Sequence, residues 1–119
     1  MTDAPETADL SPEDAKLVTL ARATRVRARA EEGAAVRDLD GRTYAAASVR
    51  LEHLDLSALE ACVAMAVASA AAGLEAVVVL TEAGPGSGPD LGAVTDLAGA
   101  GVPVLVGDPA GKIHTRTTT

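Results

Sequence analysis

The chain contains 119 residues, 48% of them hydrophobic, and carries a formal net charge of −7 at neutral pH. This length corresponds to a single domain. The negative charge disfavours nucleic acid as a partner, because phosphate binding requires a positive surface. Tyr44 is the only aromatic residue, which leaves little on which bases could stack.

The hydrophobic residues are almost all Ala, Val and Leu, and each buries less apolar area than an aromatic residue does. Since burial stabilises by about 25 cal/mol per Å² of apolar surface, such a core gains less from folding alone. We therefore expect a homo-oligomer, either a dimer or a tetramer, in which close helix contacts bury additional area.

No targeting or membrane segment is predicted. Residues 1–10 are acidic and lack the apolar run of a signal peptide. The apolar stretch 58–74 is rich in Ala and interrupted by Glu60, which indicates a buried helix and not a membrane span. The lone Cys62 cannot form an intrachain disulfide, which is typical of a reducing compartment. We therefore expect a cytoplasmic protein.

The hydrophobic periodicity predicts one folded domain over residues 11–114, between a disordered acidic segment, 1–10, and a flexible C-terminal segment, 115–119. The first helix is predicted to start at Ser11, because a hydroxyl N-cap followed by a proline and two acids favours a helix, and to end at Gly33. The residues expected on its buried face are Leu17, Leu20, Ala21, Thr24 and Ala28.

Two strands are predicted next, over residues 34–39 and 43–49, joined by an Asp-Gly pair at 40–41 that favours a two-residue turn. Residues 57–60 form a capping-box pattern, which predicts a second helix from there to Gly73. The residues expected on the buried face of this helix are Ala58, Cys62, Met65, Ala66 and Ser69.

The remaining elements are one strand before a Gly-rich loop and a helix and two strands after it. Residues 76–80 are apolar on both faces, as expected of a central strand covered by helices. A short helix over 90–99, a buried strand over 102–106 and an edge strand over 112–117 come after the loop at 84–89. The predicted order is α-β-β-α-β-α-β-(β), which is an α/β fold.

Three motifs occur in a fixed order: Gly33-Ala34-Ala35-Val36, then Asp40-Gly41-Arg42-Thr43-Tyr44, and finally Pro103-Val104-Leu105-Val106 with Gly111-Lys112-Ile113. In this order and spacing, the sequence resembles the cytidine deaminase family over roughly residues 11–113. The resemblance implies a three-layer α/β/α sandwich around a mixed sheet, and association through helix faces.

The resemblance also implies where chemistry would occur. Family members hold zinc with one ligand at the start of the second helix and two Cys opening the third, and a Glu two residues after the first ligand moves protons. In this sequence these positions hold Leu59, Ala61, Gly88 and Leu91, and residues 82–99 contain no Cys. We therefore predict a degenerate member, a pseudoenzyme without a zinc site or other cofactor.

Other residues are candidates for a different site. Ser48 and Arg50 stand where the family has its ribose-binding Asn and Glu, and His53 follows nearby, so these three are the candidate ligand-binding residues. For each there is a structural alternative, such as a collapsed pocket around Arg50 or a surface location of His53. Cys62 is interpreted as a buried, unreactive thiol in preference to an activated one.

A basic stripe recurs at helical spacing in the first helix, formed by Arg22, Arg25 and Arg29. It suits binding of phosphate, RNA or an acidic partner. The interpretation we favour is pairing with acidic residues of the same chain, such as Glu31 or Glu32.

Our leading hypothesis is a non-catalytic protein of this family that serves as an oligomeric interaction or regulatory module for an unknown protein partner. Two alternatives remain. One is hydrolytic deamination of cytidine or deoxycytidine at an atypical site, and the other is binding of a small anionic or nucleoside ligand in the former pocket.

Overall fold

The computed structural model describes residues 9–86 and 88–119. The helices are α1 (Pro12–Ala28), α2 (Ala58–Ala68) and α3 (Gly92–Ala98). The strands are β1 (Glu32–Asp38), β2 (Thr43–Ala47), β3 (Val49–Leu51), β4 (Leu54–Leu56), β5 (Leu74–Thr81), β6 (Pro103–Gly107) and β7 (Ile113–Thr118). Five strands form a sheet in the order β2-β1-β5-β6-β7, and β3 and β4 form a separate hairpin.

Helices cover both faces of the sheet. Along β5, Val77 and Val79 belong to the core shared with α2 and α3, whereas Val78 and Leu80 belong to the core shared with α1. Because successive side chains of a strand point to opposite faces, β5 is buried on both sides. The predicted three-layer α/β/α arrangement is confirmed. Among the described residues, no helix combines the length and apolar character needed to cross a membrane.

The sheet is mixed because it contains both antiparallel and parallel strand pairs. β1 pairs antiparallel with β2 and with β5, and β7 pairs antiparallel with β6. β5 and β6 pair in parallel, which requires a crossover connection, and α3 lies within that connection. α3 therefore begins beyond the C-terminal end of β5, and α2 begins near the same end, because the Ala58 N–H donates to Glu32, which pairs with Thr81 of β5.

The ends of the chain correct two predicted boundaries. Residues 115–118 belong to β7, and the Thr119 N–H donates to the Val102 carbonyl at 3.0 Å, so the expected flexible segment 115–119 is part of the sheet. Its backbone pairs with β6, in agreement with the edge strand predicted over residues 112–117. Most of the predicted N-terminal segment, residues 1–8, lies outside the described part of the chain, but Leu10 packs against the α1 core.

α1 begins as predicted, with the Ser11 Oγ accepting from the Asp14 N–H at 3.1 Å. It ends at Ala28, five residues before the expected end, because Arg29 adopts a left-handed conformation with φ of 55°. The buried face consists of Leu17, Val18 and Ala21, whereas Leu20 is 37% exposed. A helix lying on a flat sheet buries a narrow stripe, and here Val18 takes the place predicted for Leu20.

The turn between β1 and β2 differs from the predicted two-residue turn. The Gly41 N–H donates to the Asp38 carbonyl at 3.0 Å, and Gly41 has a φ of 86°, whereas Asp40 does not have a positive φ. This geometry is a three-residue loop, residues 39–41, with glycine in the left-handed position that such loops favour.

Residues 47–73 also differ from the prediction. The predicted strand 43–49 ends at Ala47, and the next residues form the β3–β4 hairpin, which the sequence analysis did not identify. α2 ends at Ala68 instead of Gly73, since Ala70 has a φ of 64°. Met65 and Ser69, predicted to be buried, are exposed, and the buried residues of α2 are Ala58, Leu59, Cys62, Val63 and Ala66.

Asp38 is a buried carboxylate that organises the β1–β2 turn. One oxygen accepts from the Asp40 and Arg42 N–H groups at 2.9 Å each, and the other accepts from the Tyr44 hydroxyl at 2.8 Å. Desolvation acts to raise the pKa of Asp38, but these hydrogen bonds outweigh it, so the pKa lies below its usual value. The same hydrogen bond raises the pKa of Tyr44.

We predict that Asp38→Asn lowers the free energy of unfolding at neutral pH and makes that free energy change less as the pH is lowered. Because the folded-state pKa of Asp38 is depressed, its contribution is complete above the unfolded value of about 3.9 and is lost as pH falls through the folded value. Urea unfolding at a series of pH values should show the two proteins converging in acid. Asp96→Asn, an exposed position on α3, serves as the control. A difference that stays constant with pH would contradict this.

Gly33 permits the close approach of α1 to β1. A Cβ at this position would lie 2.3 Å from the Ala21 carbonyl oxygen and 2.7 Å from the Arg25 Cβ. These atoms belong to backbone and to the root of a side chain, so they cannot move aside without shifting the helix. The glycine is therefore needed for packing between two layers.

Gly33→Ala should lower the free energy of unfolding by about 1–3 kcal/mol, the usual cost of overpacking. The measurement is equilibrium urea unfolding followed by far-UV circular dichroism. Gly86→Ala is the matched control, because a Cβ at Gly86 would meet nothing within 4 Å. Equal stability of the two variants would show that α1 is not held against β1 in this way.

Candidate functional site

The N-termini of α2 and α3 lie together beside the C-terminal end of β5, and the predicted zinc-ligand positions fall in this region. Leu59 is in the first turn of α2 and only 2% exposed, and Leu91 is the N-cap residue of α3. Both contribute to the same apolar cluster. Ala61 is half-buried and Gly88 is exposed in the loop before α3. The place where the resemblance implies a metal is therefore lined by aliphatic side chains.

These side chains do not fit a zinc ion, which is bound by Cys sulfur, His nitrogen or carboxylate oxygen. Leu59, Ala61, Gly88 and Leu91 offer none of these atoms. Across residues 9–86 and 88–119, no three His, Cys, Asp or Glu side chains come close enough together to hold a metal. No step of a metal-assisted reaction can be derived from this arrangement.

The N-terminus of α2 is instead closed by carboxylates of the chain itself. Glu60 accepts from the Ser57 N–H at 2.8 Å while the Ser57 Oγ accepts from the Glu60 N–H at 3.0 Å, which completes the predicted capping box. The Ala58 N–H donates to the Glu32 Oε1 at 3.3 Å. Two negative charges therefore already complement the positive end of the helix dipole. The Glu60 carboxylate is held by the backbone N–H of Ser57.

A pocket of about 400 Å³ opens next to this helix end. Its lining residues come from the start of β1, from β3 and from the end of β5 with the residues after it: Glu31, Glu32, Arg50, Thr81, Glu82 and Ala83. Three carboxylates face one guanidinium there. Arg25, from α1, pairs with Glu82 at 3.2 Å, and its Nε donates to the Glu31 carbonyl at 3.4 Å.

Arg50 links the β3–β4 hairpin to the pocket. It lies directly opposite Asp55 in the hairpin register and forms an ion pair with it, and its NH1 also donates to the Leu56 carbonyl at 3.2 Å. On the pocket side, its Nε lies 3.7 Å from Glu31. The hydrogen bond to Asp55, with the charges of Glu31 and Glu32, raises the pKa of Arg50. Much of its charge is thus already compensated within the chain.

Ser48 and His53 do not join Arg50 in this pocket. The Ser48 Oγ accepts from the Glu32 N–H at 3.3 Å, and the Ser48 N–H donates to the Glu32 carbonyl at 3.2 Å, which extends the pairing of β1 with β2. His53 is exposed at the turn of the β3–β4 hairpin, and no residue of the described chain forms a hydrogen bond or ion pair with its side chain. Of the three candidate ligand-binding residues, Arg50 alone lines the pocket.

Cys62 is buried, as predicted. Burial raises the pKa of its thiol to about 12, and its Sγ donates to the Tyr44 carbonyl at 3.6 Å. The group is therefore a neutral thiol at physiological pH, and not the thiolate that acts as a nucleophile or metal ligand.

The pocket contains three residues that were not predicted from sequence: Glu32, Thr81 and Glu82. Thr81 and Glu82 directly follow the predicted central strand 76–80, and the C-terminal edge of such a strand is where α/β proteins commonly bind ligands. The position of Thr81 and Glu82 could therefore have indicated the pocket from the sequence. Glu32 carried no such signal, because its role depends on the N-terminus of α2 being brought beside it by the fold.

The mixed sheet between two helical layers, with the N-termini of two helices meeting at one edge, defines the class of fold seen in deaminases. A family model described as cytidine deaminase-like matches residues 10–111, and the chain belongs to this family. The resemblance predicted from sequence is thereby confirmed. A search of curated protein sequences finds no match.

Solved structures agree with this assignment. The chain is similar to a cytidine deaminase from Burkholderia pseudomallei, with a TM-score of 0.75 and 20% identity, over 92% of this chain and 93% of that one. It is also similar to a cytidine deaminase from Mycobacterium leprae, with a TM-score of 0.68 and 20% identity, over 91% of this chain and 94% of that one. At this identity the likeness establishes the fold alone.

Proposed function

We propose that this chain is a non-catalytic member of the cytidine deaminase-like family and acts as an oligomeric interaction or regulatory module. The observation that carries the proposal is that Leu59, buried in the apolar core, and Leu91, packed against the same core, occupy two of the positions where the family's chemistry is expected. Hydrolytic deamination needs an activated water, and activation by a metal lowers the pKa of that water by many units. Aliphatic side chains supply neither the metal ligands nor a base.

The carboxylates nearby support the same conclusion. Glu60 is engaged in the capping box and Glu32 in a hydrogen bond to the Ala58 N–H. A general base must lie within hydrogen-bonding reach of the proton it removes and be free to accept it. Neither carboxylate is free in this sense, so the enzyme alternative would require Glu31 or Glu82, which pair with arginines.

The decisive experiment is to incubate the purified chain with cytidine and deoxycytidine, with and without added zinc, and to quantify uridine products by chromatography. We expect no product above the protein-free blank, and no zinc above the blank in elemental mass spectrometry. An active cytidine deaminase serves as the positive control. Turnover that co-purifies with the chain to homogeneity, or stoichiometric zinc, would restore the enzyme alternative.

The position of Arg50 in the pocket favours a second candidate function, which is binding of a small ligand there. The three carboxylates around it disfavour an anion and leave an uncharged nucleoside as the better fit. Thermal-shift measurements of the purified chain with cytidine and with its monophosphate test whether such a ligand binds. A ligand at 100 times its dissociation constant stabilises by about 2.7 kcal/mol, so the absence of any shift would count against this candidate.

Self-association through α2 is supported by the composition of its outer face. Ala64, Met65, Val67 and Ala68 are exposed there, and the only charged residue of the helix, Glu60, is engaged in the capping box. In a chain with a net charge of −7, two identical copies repel each other wherever acidic surfaces meet. An uncharged helix face with small side chains avoids this repulsion and permits close packing.

The double substitution Ala64→Lys/Ala68→Lys should convert the oligomer to a monomer, because it places four charges at a symmetric helix contact. Sedimentation velocity at micromolar concentration measures the mass of each species. Ala28→Lys, exposed in the last turn of α1, is the control and should leave the oligomer intact. A wild-type chain that is monomeric under these conditions would refute the oligomer.

A further inference from the structure

The outward face of α1 and the turn between β6 and β7 border an open groove of about 590 Å³ on the side of the molecule away from α2. A smaller hollow of about 270 Å³ continues it towards Lys112. The helix side of the groove is formed by residues at positions i, i+3, i+4, i+7 and i+8, which share one face of a helix. These residues are Thr19, Arg22, Ala23, Val26 and Arg27.

The opposite wall is held in place by the turn after β6. The Asp108 N–H donates to the Lys112 carbonyl at 3.0 Å, and the Asp108 Oδ1 accepts from the Lys112 N–H at 2.9 Å. Gly111 has a φ of 95°, and a Cβ there would lie 3.2 Å from the Val18 Cγ1. The turn therefore sits close against α1, and Pro109 and Ala110 form the wall.

The charge of this groove is opposite to that of the chain as a whole. Arg22, Arg27 and Lys112 line the groove and its continuation, and no carboxylate of residues 9–86 or 88–119 lines either of them. Within the described residues none of these three cations forms an ion pair, whereas Arg25, Arg37 and Arg50 each do. The groove is thus a positive region in a chain with a net charge of −7.

The groove is also apolar between its cations. Val26 is 62% exposed, and Ala23, Pro109 and Ala110 contribute apolar surface beside it. Cations that flank an exposed aliphatic strip match a peptide that carries acidic and aliphatic side chains together. A nucleic acid fits less well, because the groove contains no aromatic side chain and the rest of the surface is acidic.

We propose that this groove docks an acidic peptide segment of a partner protein, with Arg22, Arg27 and Lys112 pairing with its carboxylates and Val26 contacting its aliphatic side chains. This groove specifies the kind of partner for the interaction role proposed above, and the proposal rests on that role. Peptide binding at α1 is nevertheless measured separately from deamination and from self-association through α2, so the failure of one does not imply the failure of the others.

The test begins with selection of short random peptides from a display library against the full chain in low salt. Enrichment of sequences that combine Asp or Glu with aliphatic residues is expected. The enriched peptides are then synthesised with a fluorescent label, and their dissociation constants are measured by anisotropy. Arg22→Glu should weaken binding by at least about tenfold. Arg42→Glu changes the net charge equally but lies in the β1–β2 turn, and should have little effect.

Several outcomes would overturn the proposal. These are a selection without acidic enrichment, equal weakening by Arg22→Glu and Arg42→Glu, and displacement of the peptide by a single-stranded oligonucleotide or by ATP at lower concentration than by unlabelled peptide. A change of oligomeric state in Arg22→Glu would assign the groove to a second copy of the chain. Circular dichroism confirms that each variant is folded, which is expected because both arginines are exposed.

Discussion

The close approach of helices to a sheet made of small side chains is the constraint on which the rest of this structure depends. Between α1 and β1 the contact is made by Ala21, Gly33 and Ala35, and a single added carbon at Gly33 would collide with helix backbone. With so little side-chain volume between the layers, the helix axes have little freedom to shift. The positions of the helix ends are fixed as a consequence.

The fixed helix ends determine which groups lie at the edge where α2 and α3 begin. α2 packs on the sheet through small and medium side chains, which brings its first turn beside Glu32. The Glu32 carboxylate accepts a hydrogen bond from the Ala58 N–H, one of the amides left free at the start of the helix. Leu59 then points into the core shared with α3. The fold is cytidine deaminase-like, while the atoms at this edge are those of a packed core and a capped helix. Protein contacts, through α2 and through the groove beside α1, are the uses that we propose.

Much of the fold was predictable from local patterns, because capping residues and apolar strands are encoded within a few positions of one another. The start of α1 at Ser11 and the capping box at Ser57 are of this kind. The β3–β4 hairpin was missed although residues 49–56 alternate apolar and polar side chains, since Glu52 and His53 are not typical turn residues. The early end of α2 was missed because the alanines after Ala68 favour a helix, whereas the chain must turn there to enter β5.

The candidate site was predictable only in part, for a physical reason. The aliphatic residues Leu59 and Leu91 were placed at the zinc-ligand positions by the resemblance to the cytidine deaminase family. The convergence of Glu31 and Glu32 with Glu82 depends on the pairing of β1 with β5, which joins segments about fifty residues apart in the chain. Strand pairing at that separation has no local signature, so a pocket built on it is apparent only from the fold.

The single thiol of the chain makes the core observable. Cys62 is fully buried on the inner face of α2, and no other cysteine competes with it for a reagent. A thiol-specific probe in solution can reach it only when α2 separates from the sheet, so the rate of labelling reports how often that helix opens. The natural sequence thus contains an intrinsic probe of local unfolding at the layer interface, available without introducing any label site.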